Sequence, residues 1–210
     1  MTRADVAPVM VVTDRHQVAQ GARGLVDVVR AALDGGATRV LLRDKDLARP
    51  ERARLADELR AATAAAGAAL LVAGDVDLAR AVGADGVHLA ARDPWPELRR
   101  PLGVGRSCHD HGELVQARAH DADWATYSPV FASSSKPGYG PALGLAGLAA
   151  GCRAAPGLSV LALGGIGPGR ARACLEAGAA GVAVMGAVMR ADDPSTVLRA
   201  LVDETRGAYA

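Results

Sequence analysis

The sequence predicts an α/β fold, a single (βα)8 TIM barrel that spans residues 1–210. About eight short apolar runs alternate with helix-like segments along the chain. The apolar runs are continuous rather than alternating, which indicates a parallel sheet buried on both faces. A Gly-Ala pair or a close equivalent precedes a strand at positions 36–37, 83–84, 121–122 and 178–179. This recurring joint favours one closed barrel over an open doubly wound sheet.

The composition narrows the class of protein. The 210 residues have a mass of 21.3 kDa and half of them are apolar, which predicts one core and one domain. A net charge of +1 and 3% aromatic residues argue against a nucleic-acid or membrane partner and for a small molecule. Three scattered cysteines and an N-terminal apolar run too short for a signal or a membrane span predict a reduced, cytoplasmic protein.

The first half of the chain has regular boundaries. The run from Val9 to Thr13 is rich in β-branched residues and is closed by Asp14, which predicts a strand. The helix that begins at Leu25 has apolar residues at helical spacing and ends at a glycine pair, the usual C-terminal signal. The next predicted elements are a strand at 40–42, a helix at 50–66, a strand at 69–72, a helix at 76–82 and a strand at 86–89.

The second half is less regular. Pro94 opens only a brief helical piece, and residues 102–105 form a weak strand. The remaining predicted elements are a helix at 113–119, a strand at 124–127, a polar loop at 128–144, a helix at 145–154, a strand at 161–163, a helix at 170–177, a strand at 181–185 and a helix at 194–209. Asp192 or Asp193 is the predicted N-cap of the last helix.

Two late strands each end at glycine. A buried strand that stops at glycine and turns into a helix leaves backbone N–H groups without partners at the helix start, and these attract phosphate. Either loop alone is more simply a tight turn, but neighbouring parallel strands would bring both corners to one spot. The predicted phosphate-binding residues are Gly164, Gly165, Met185 and Gly186.

Cations and hydroxyls follow several of the other predicted strands. Active sites of (βα)8 barrels lie at the C-terminal ends of the strands, so these side chains describe a pocket for a small polyanion, although each one alone could be a solvated loop residue. The substrate-binding candidates are Arg43, Lys45, Arg106, Ser107, Ser133, Ser135 and Lys136. Arg43 and Lys45 are two positions apart and are expected to point the same way.

His109 is the candidate for proton transfer, because an imidazole at a strand end beside an anion site can act as general acid and base in turn. His88 lies inside an apolar run and is expected to be packed within the protein. Cys108 precedes His109, but adjacent residues on a strand face opposite ways, so a Cys–His nucleophile is not favoured.

An ordered set of motifs resembles the thiamine phosphate synthase and thiazole tautomerase superfamily. The motifs are Leu42-Arg43-Asp44-Lys45, Val76-Asp77-Leu78-Ala79, residues 83–89, Ser128-Pro129-Val130-Phe131, Ser135-Lys136, Gly164-Gly165-Ile166 and residues 182–185. The likeness covers nearly the whole chain. It implies a (βα)8 barrel, a role in thiamine biosynthesis and a thiazole phosphate substrate whose phosphate lies at the glycine corners.

The synthase branch of this superfamily joins a pyrimidine diphosphate to the thiazole phosphate, which requires Mg²⁺ and a diphosphate cradle. This chain departs from that pattern. Ala73-Gly74 stands where Asn-Asp is usual, Leu41 replaces a glutamine, Ala91-Arg92 replaces Gln-Glu, and Ser133 and Ser135 replace two threonines. Asp93 is then the carboxylate left for the metal.

The segment Gly105-Arg106-Ser107-Cys108-His109 is similar to the Gly-Arg-Ser-x-His segment of the tautomerase branch, whose histidine moves protons as the thiazole becomes aromatic. The resemblance therefore favours a thiazole phosphate tautomerase without metal or other cofactor. His109 would move the proton, and Arg43, Lys45 and Lys136 would hold the carboxylate and the developing charge.

Several alternatives stay open. The first is a thiamine phosphate synthase with a degenerate metal site, which would bind Mg²⁺ through Asp93. The second is a non-catalytic barrel that binds thiazole or thiamine phosphate. A weaker one is a barrel that acts on an unrelated sugar or indole phosphate, because glycine corners are widely shared. Small barrels of this type often pair, so a homodimer is among the expectations.

Overall fold

Eight parallel strands close into a barrel, in the order β1 to β8, and β8 pairs back with β1. The computed structural model describes residues 8–18, 24–97, 101–132 and 141–206. The strands are β1 (Val9–Val12), β2 (Arg39–Leu42), β3 (Ala69–Ala73), β4 (Gly86–Leu89), β5 (Gly103–Cys108), β6 (Trp124–Tyr127), β7 (Ser159–Leu163) and β8 (Gly181–Val184). The predicted (βα)8 TIM barrel is confirmed, while the extent of the single domain over 1–210 stays a prediction.

Helices surround the sheet. They are α1 (Leu25–Asp34), α2 (Arg49–Ala66), α3 (Val76–Ala81), α4 (His111–Ala119), α5 (Gly144–Ala154), α6 (Ala171–Glu176), α7 (Gly186–Met189) and α8 (Pro194–Thr205). Aspartate side chains cap three of them, and Asp193 accepts from two backbone N–H groups at the start of α8, as predicted. Among the helices in the described ranges, none is both long and apolar enough to cross a membrane.

Several predicted boundaries differ by one or two residues, and two segments differ more. β5 runs three residues further than expected because Arg106, Ser107 and Cys108 continue the parallel pairing with β6, so these residues lie in a strand rather than in the loop after it. Residues 94–97 form no helix. After β8 the chain turns into the short helix α7, as expected of a strand that ends at glycine. The predicted end of the last helix, beyond residue 206, lies outside the described residues.

The inside of the barrel is built around one tryptophan. The apolar cluster there consists of Met10, Val12, Leu41, Leu71, Ala73, Trp124, Leu161 and Ala183. Glycines on β4 and β5 leave room for the indole ring, since a Cβ would lie 2.7 Å from it at Gly86, 3.0 Å at Gly103 and within 2.5 Å at Gly105. The guanidinium of Arg39 lies 5.7 Å from the ring centroid. A large side chain therefore fills the space that three small ones vacate, as layered packing in a barrel requires.

A chain of hydrogen bonds continues from this tryptophan. Trp124 Nε1 donates to His88 Nδ1 over 3.1 Å. The other ring nitrogen, His88 Nε2, lies 3.0 Å from Ser107 Oγ and 3.2 Å from Thr126 Oγ1. Burial lowers the pKa of His88 to about 3, so the ring is neutral near pH 7. The expectation that His88 is packed within the protein is confirmed.

The glycine cradle predicts a large loss of stability for Gly105→Ala. The added methyl group would overlap the indole of Trp124, and overpacking of this kind costs about 3 kcal/mol. The matched control is Gly112→Ala, at an exposed position in α4, where the added methyl group would meet only the Asp110 carboxylate at 3.2 Å and should change the free energy of unfolding by less than about 1 kcal/mol. Urea denaturation of the three proteins measures both values. Equal stabilities would show that the indole does not need the space at position 105.

Buried His88 predicts that stability falls in acid. Its pKa of about 3 in the folded state is below the value of about 6.5 in an unfolded chain, so the unfolded chain takes up the proton first. The free energy of unfolding should therefore decrease as the pH falls from about 6.5 toward 3, by about 2–3 kcal/mol at pH ~4.5. His88→Gln lacks this titration. Urea denaturation at neutral and acid pH should show a smaller pH effect in the variant, and equal effects would contradict the account.

Candidate active site

A cavity of about 500 Å³ opens at the C-terminal ends of the strands, where barrel enzymes hold their substrates. Its wall includes the end of β1, the loops after β2 and β6, and the corners after β7 and β8. Arg43, Arg170 and Arg190 contribute guanidinium groups to the lining, and none of the lining residues in the described part of the chain is a carboxylate. A cavity with this charge favours an anionic ligand.

The first predicted glycine corner follows β7. Gly164 and Gly165 have φ values of +100° and +64°, in the left-handed region that favours glycine. A Cβ would lie 2.8 Å from Pro129 Cα at Gly164 and 2.5 Å from the Ala132 carbonyl oxygen at Gly165. The backbone N–H of Phe131 donates to the Gly164 carbonyl over 3.0 Å. The corner is therefore packed directly against the loop after β6, and both glycines are required by conformation and by space.

The second corner follows β8, where Met185 precedes Gly186 at the start of α7. Both residues line the cavity. A Cβ on Gly186 would lie 2.7 Å from the guanidinium carbon of Arg190, so the glycine leaves room for that side chain. Arg190 donates to the side-chain oxygen of Gln17, in the turn after β1. The two predicted corners thus lie in one cavity, as expected, and the binding of phosphate there stays a prediction.

Two arginines of the cavity were missed by sequence reasoning. Arg190 lies four residues after Gly186, one helical turn away, and this spacing was the signal that could have revealed it. Arg170 donates to the Gly165 carbonyl over 2.6 Å, and its guanidinium carbon lies 4.8 Å from the centroid of the Phe131 ring. The sequence indicated Arg170 only as the first residue of a predicted helix.

Arg43 and Lys45 do not point the same way. β2 ends at Leu42, so the alternation of a strand does not extend to them. Arg43 lines the cavity, with Nη1 3.5 Å from Asp14 Oδ2. Lys45 Nζ lies 4.0 Å from Asp93 Oδ2, beside the loop after β4. Arg43 therefore lies on the β1 side of the mouth, and Lys45 lies on the β4 side.

A buried carboxylate fixes the backbone at Arg43. Asp44 is 4% exposed, and its two oxygens accept from the Thr13 hydroxyl over 2.6 Å and from the Arg15 N–H over 2.8 Å. The Thr13 hydroxyl oxygen in turn accepts from the backbone N–H of Arg43 over 2.9 Å. These bonds join the ends of β1 and β2, which orients Arg43 toward the cavity.

Arg106 contacts the protein rather than the cavity. Its guanidinium is buried and donates to the carbonyls of Asp93 and Ala91 over 2.6 and 2.7 Å, and it lies 4.5 Å from the centroid of the Trp95 ring. These contacts hold the loop that carries Asp93. Ser107 lies next to it on β5 and bonds to His88. Substrate binding by Arg106 and Ser107 stays a prediction.

His109 is not among the residues that line the cavity. Its Nδ1 is 2.9 Å from the carbonyl oxygen of Ser128, a residue that lines the cavity, and its backbone N–H donates to Glu113 over 2.6 Å. Burial raises the pKa of the Cys108 thiol to about 12, which supports the rejection of a Cys–His nucleophile. The candidates Ser133, Ser135 and Lys136 lie outside the described residues.

Comparisons with known proteins place these features in a family. Residues 9–188 match the family described as thiamine monophosphate synthase. A putative thiamine-phosphate synthase of Geobacter sulfurreducens is 43% identical over 196 residues, 91% of each chain. A bifunctional thiamine biosynthesis protein of Symbiobacterium thermophilum is also 43% identical, over 87% of this chain but only 39% of its own length. The solved structure of a thiamine phosphate pyrophosphorylase from Pyrococcus furiosus superposes with a TM-score of 0.85 at 30% identity, over the full length of both chains.

These matches correct one prediction. The sequence motifs favoured a thiazole tautomerase, an isomerase, but relatives about 40% identical over most of the chain carry the name thiamine-phosphate synthase. The tautomerase interpretation is therefore wrong, and a catalytic role of His109 stays a prediction that these matches do not test. The Gly-Arg-Ser-x-His segment on which it depended contains Arg106, which here bonds to backbone carbonyls. The chain belongs to the thiamine monophosphate synthase family.

Proposed function

We propose that this protein is a thiamine-phosphate synthase, a transferase that joins a pyrimidine diphosphate to a thiazole phosphate. The family match and the names of relatives at about 40% identity support this reaction. The structural observation that carries the proposal is the cavity at the strand ends, which combines two glycine corners with three guanidinium groups. A ligand with a phosphate group matches both its charge and its shape.

In this proposal the thiazole phosphate binds between the two corners. Backbone N–H groups near Gly164, Gly165, Met185 and Gly186 would donate to its oxygens, as they do at glycine-rich phosphate sites. Arg190 would add a charge-assisted hydrogen bond, because its guanidinium lies over Gly186. Arg43 lines the same cavity from the β2 side and would add to the positive field.

The diphosphate would lie on the opposite side of the mouth, near Lys45 and Asp93. In the transfer, the bond from the pyrimidine methylene carbon to the diphosphate breaks, and the electron pair leaves with the diphosphate. The same carbon forms its new bond to the ring nitrogen of the thiazole. Lys45 would stabilise the charge that grows on the leaving group. Ser133, Ser135 and Lys136, the substrate-binding candidates that follow a predicted strand, are proposed to bind the same group.

Asp93 is the residue that would hold Mg²⁺. Among the described residues no three His, Cys, Asp or Glu side chains form a metal cage. Mg²⁺ that serves phosphate chemistry takes only one or two carboxylates and completes its shell with substrate phosphates and water. Asp93 fits this use, because the Ala90 N–H fixes its Oδ2 over 2.7 Å. When bound with the diphosphate, Mg²⁺ supplies charge to the leaving group. The expectation of no cofactor belonged to the tautomerase interpretation. The homodimer stays a prediction.

The reaction itself is the first test. Purified protein with the pyrimidine diphosphate, the thiazole phosphate and Mg²⁺ should form thiamine phosphate and diphosphate in equal amounts, followed by chromatography. Chelation of Mg²⁺ should lower the rate at least about tenfold, because the leaving group loses its counter-charge. The thiazole tautomer alone should not be converted. Tight binding of thiamine phosphate without turnover would instead favour a non-catalytic barrel.

Arg190→Ala tests the phosphate site. Loss of a charge-assisted hydrogen bond of about 1.5–3 kcal/mol should raise KM for the thiazole phosphate roughly tenfold to a hundredfold. The kcat should change less than about threefold, because the phosphate does not react. The control is Arg30→Ala, which removes an arginine that is 59% exposed on α1. Steady-state kinetics of the three proteins decide the question, and an unchanged KM in Arg190→Ala would exclude this arginine from the phosphate site.

A further inference from the structure

We propose that Trp124 and His88 are positioning residues that fix the Ser107 hydroxyl as a hydrogen-bond donor to the bound pyrimidine diphosphate, an inference that rests on the proposed function. The three side chains lie on neighbouring strands, β4, β5 and β6. Their hydrogen bonds run from the floor of the barrel toward its mouth. We refer to Trp124, His88 and Ser107 as the Trp–His–Ser chain.

The direction of the hydrogen bonds in the chain is set by its first member. An indole N–H can only donate, so His88 Nδ1, 3.1 Å away, must accept. The ring is buried and neutral, and its one proton is therefore on Nε2. Nε2–H then faces two hydroxyl oxygens, Ser107 Oγ at 3.0 Å and Thr126 Oγ1 at 3.2 Å, and the shorter contact is the one to Ser107. The oxygen of Ser107 accepts this hydrogen bond, so the hydroxyl proton of Ser107 can donate to a different group.

The register of β5 shows where that proton can go. Gly103, Gly105 and Ser107 alternate along one face of the strand, and the two glycines back the indole of Trp124. Ser107 lies one step nearer the C-terminal end, on the mouth side of the ring. It is half-buried, whereas His88 is 5% exposed. Ser107 is thus the member of the chain that can reach a substrate.

Stability alone does not explain this arrangement. Most neighbouring side chains inside the barrel are apolar, apart from Thr126 and Arg39, and polar groups placed among them cost free energy unless every bond is made. Apolar replacements of the same shape would be nearly neutral or stabilising. The chain instead has glycines at positions 86, 103 and 105 that admit a tryptophan with its N–H aimed at His88. Such a rigid donor is useful where a hydroxyl must hold one orientation.

Trp124→Phe is the decisive variant, because it keeps an aromatic ring and removes the N–H. The ¹⁵N shifts of His88, measured by NMR near pH 7, should show the Nε2–H tautomer in the wild type. In the variant they should show a mixture of tautomers, and kcat for thiamine phosphate formation should fall about tenfold with each KM within about twofold. An Nδ1–H tautomer in the wild type, or an unchanged tautomer in the variant, would overturn the proposal.

Leu161→Val is the matched control for packing. Leu161 belongs to the same cluster as Trp124 and is fully buried, but its side chain makes no hydrogen bond. The control should lower the thermal midpoint without changing the His88 tautomer or kcat. An equal loss of kcat in both variants would show that Trp124 acts only by filling space.

His88→Gln and His88→Asn provide a second test that does not need Trp124→Phe to fold. The glutamine amide N–H₂ can take the place of Nε2 and donate to Ser107, whereas the asparagine oxygen can take the place of Nδ1 and accept only from Trp124. His88→Gln should keep kcat within about threefold, and His88→Asn should lose about tenfold. Equal losses, or the reverse order, would overturn the proposal. If the wild type forms no thiamine phosphate but the His88 tautomer changes in Trp124→Phe, only the proposed function would be contradicted.

Discussion

The hydrogen bonds that join β8 to β1 are the constraint on which the site depends. Closure of the sheet brings the C-terminal ends of all eight strands to one rim, so residues far apart in sequence become neighbours. Arg190 reaches Gln17 across 173 positions, and Asp44 joins the ends of β1 and β2. An open sheet would leave Arg190 and Gln17 on separate edges, whereas the bonds of Asp44 join strands that are adjacent in either case. The cavity is therefore a property of the closed barrel rather than of any one loop.

The cations of the mouth differ in what neutralises them. Arg106 donates to two carbonyls of the loop after β4, and Lys45 Nζ lies 4.0 Å from Asp93 Oδ2. Arg43 lies 3.5 Å from Asp14 and Arg190 donates to the Gln17 side chain, and both line a cavity whose described wall includes no carboxylate. A phosphate that enters this cavity meets positive charge from both arginines, which favours binding at the glycine corners. In the largely apolar interior below the cavity, the Trp–His–Ser chain extends hydrogen bonds toward the rim.

The sequence predicted most of the fold because its signals are local. The bounds of β4 and β6 match the prediction, and the corner at Gly164 and Gly165 followed from the glycines themselves. The length of β5 was not predicted correctly, because it depends on pairing with β6. This error placed Arg106 in a loop, where it suggested a ligand contact and strengthened the tautomerase interpretation. Arg190 was missed because its partner lies at the other end of the chain.

A crystal structure with thiamine phosphate and diphosphate bound would test the central claim most directly. The account predicts the phosphate of the thiazole half within hydrogen-bond distance of the corners at Gly165 and Gly186 and of the Arg190 guanidinium. It predicts the diphosphate beside Lys45 and Asp93. A phosphate bound outside this cavity, or a ligand at the N-terminal end of the barrel, would contradict it.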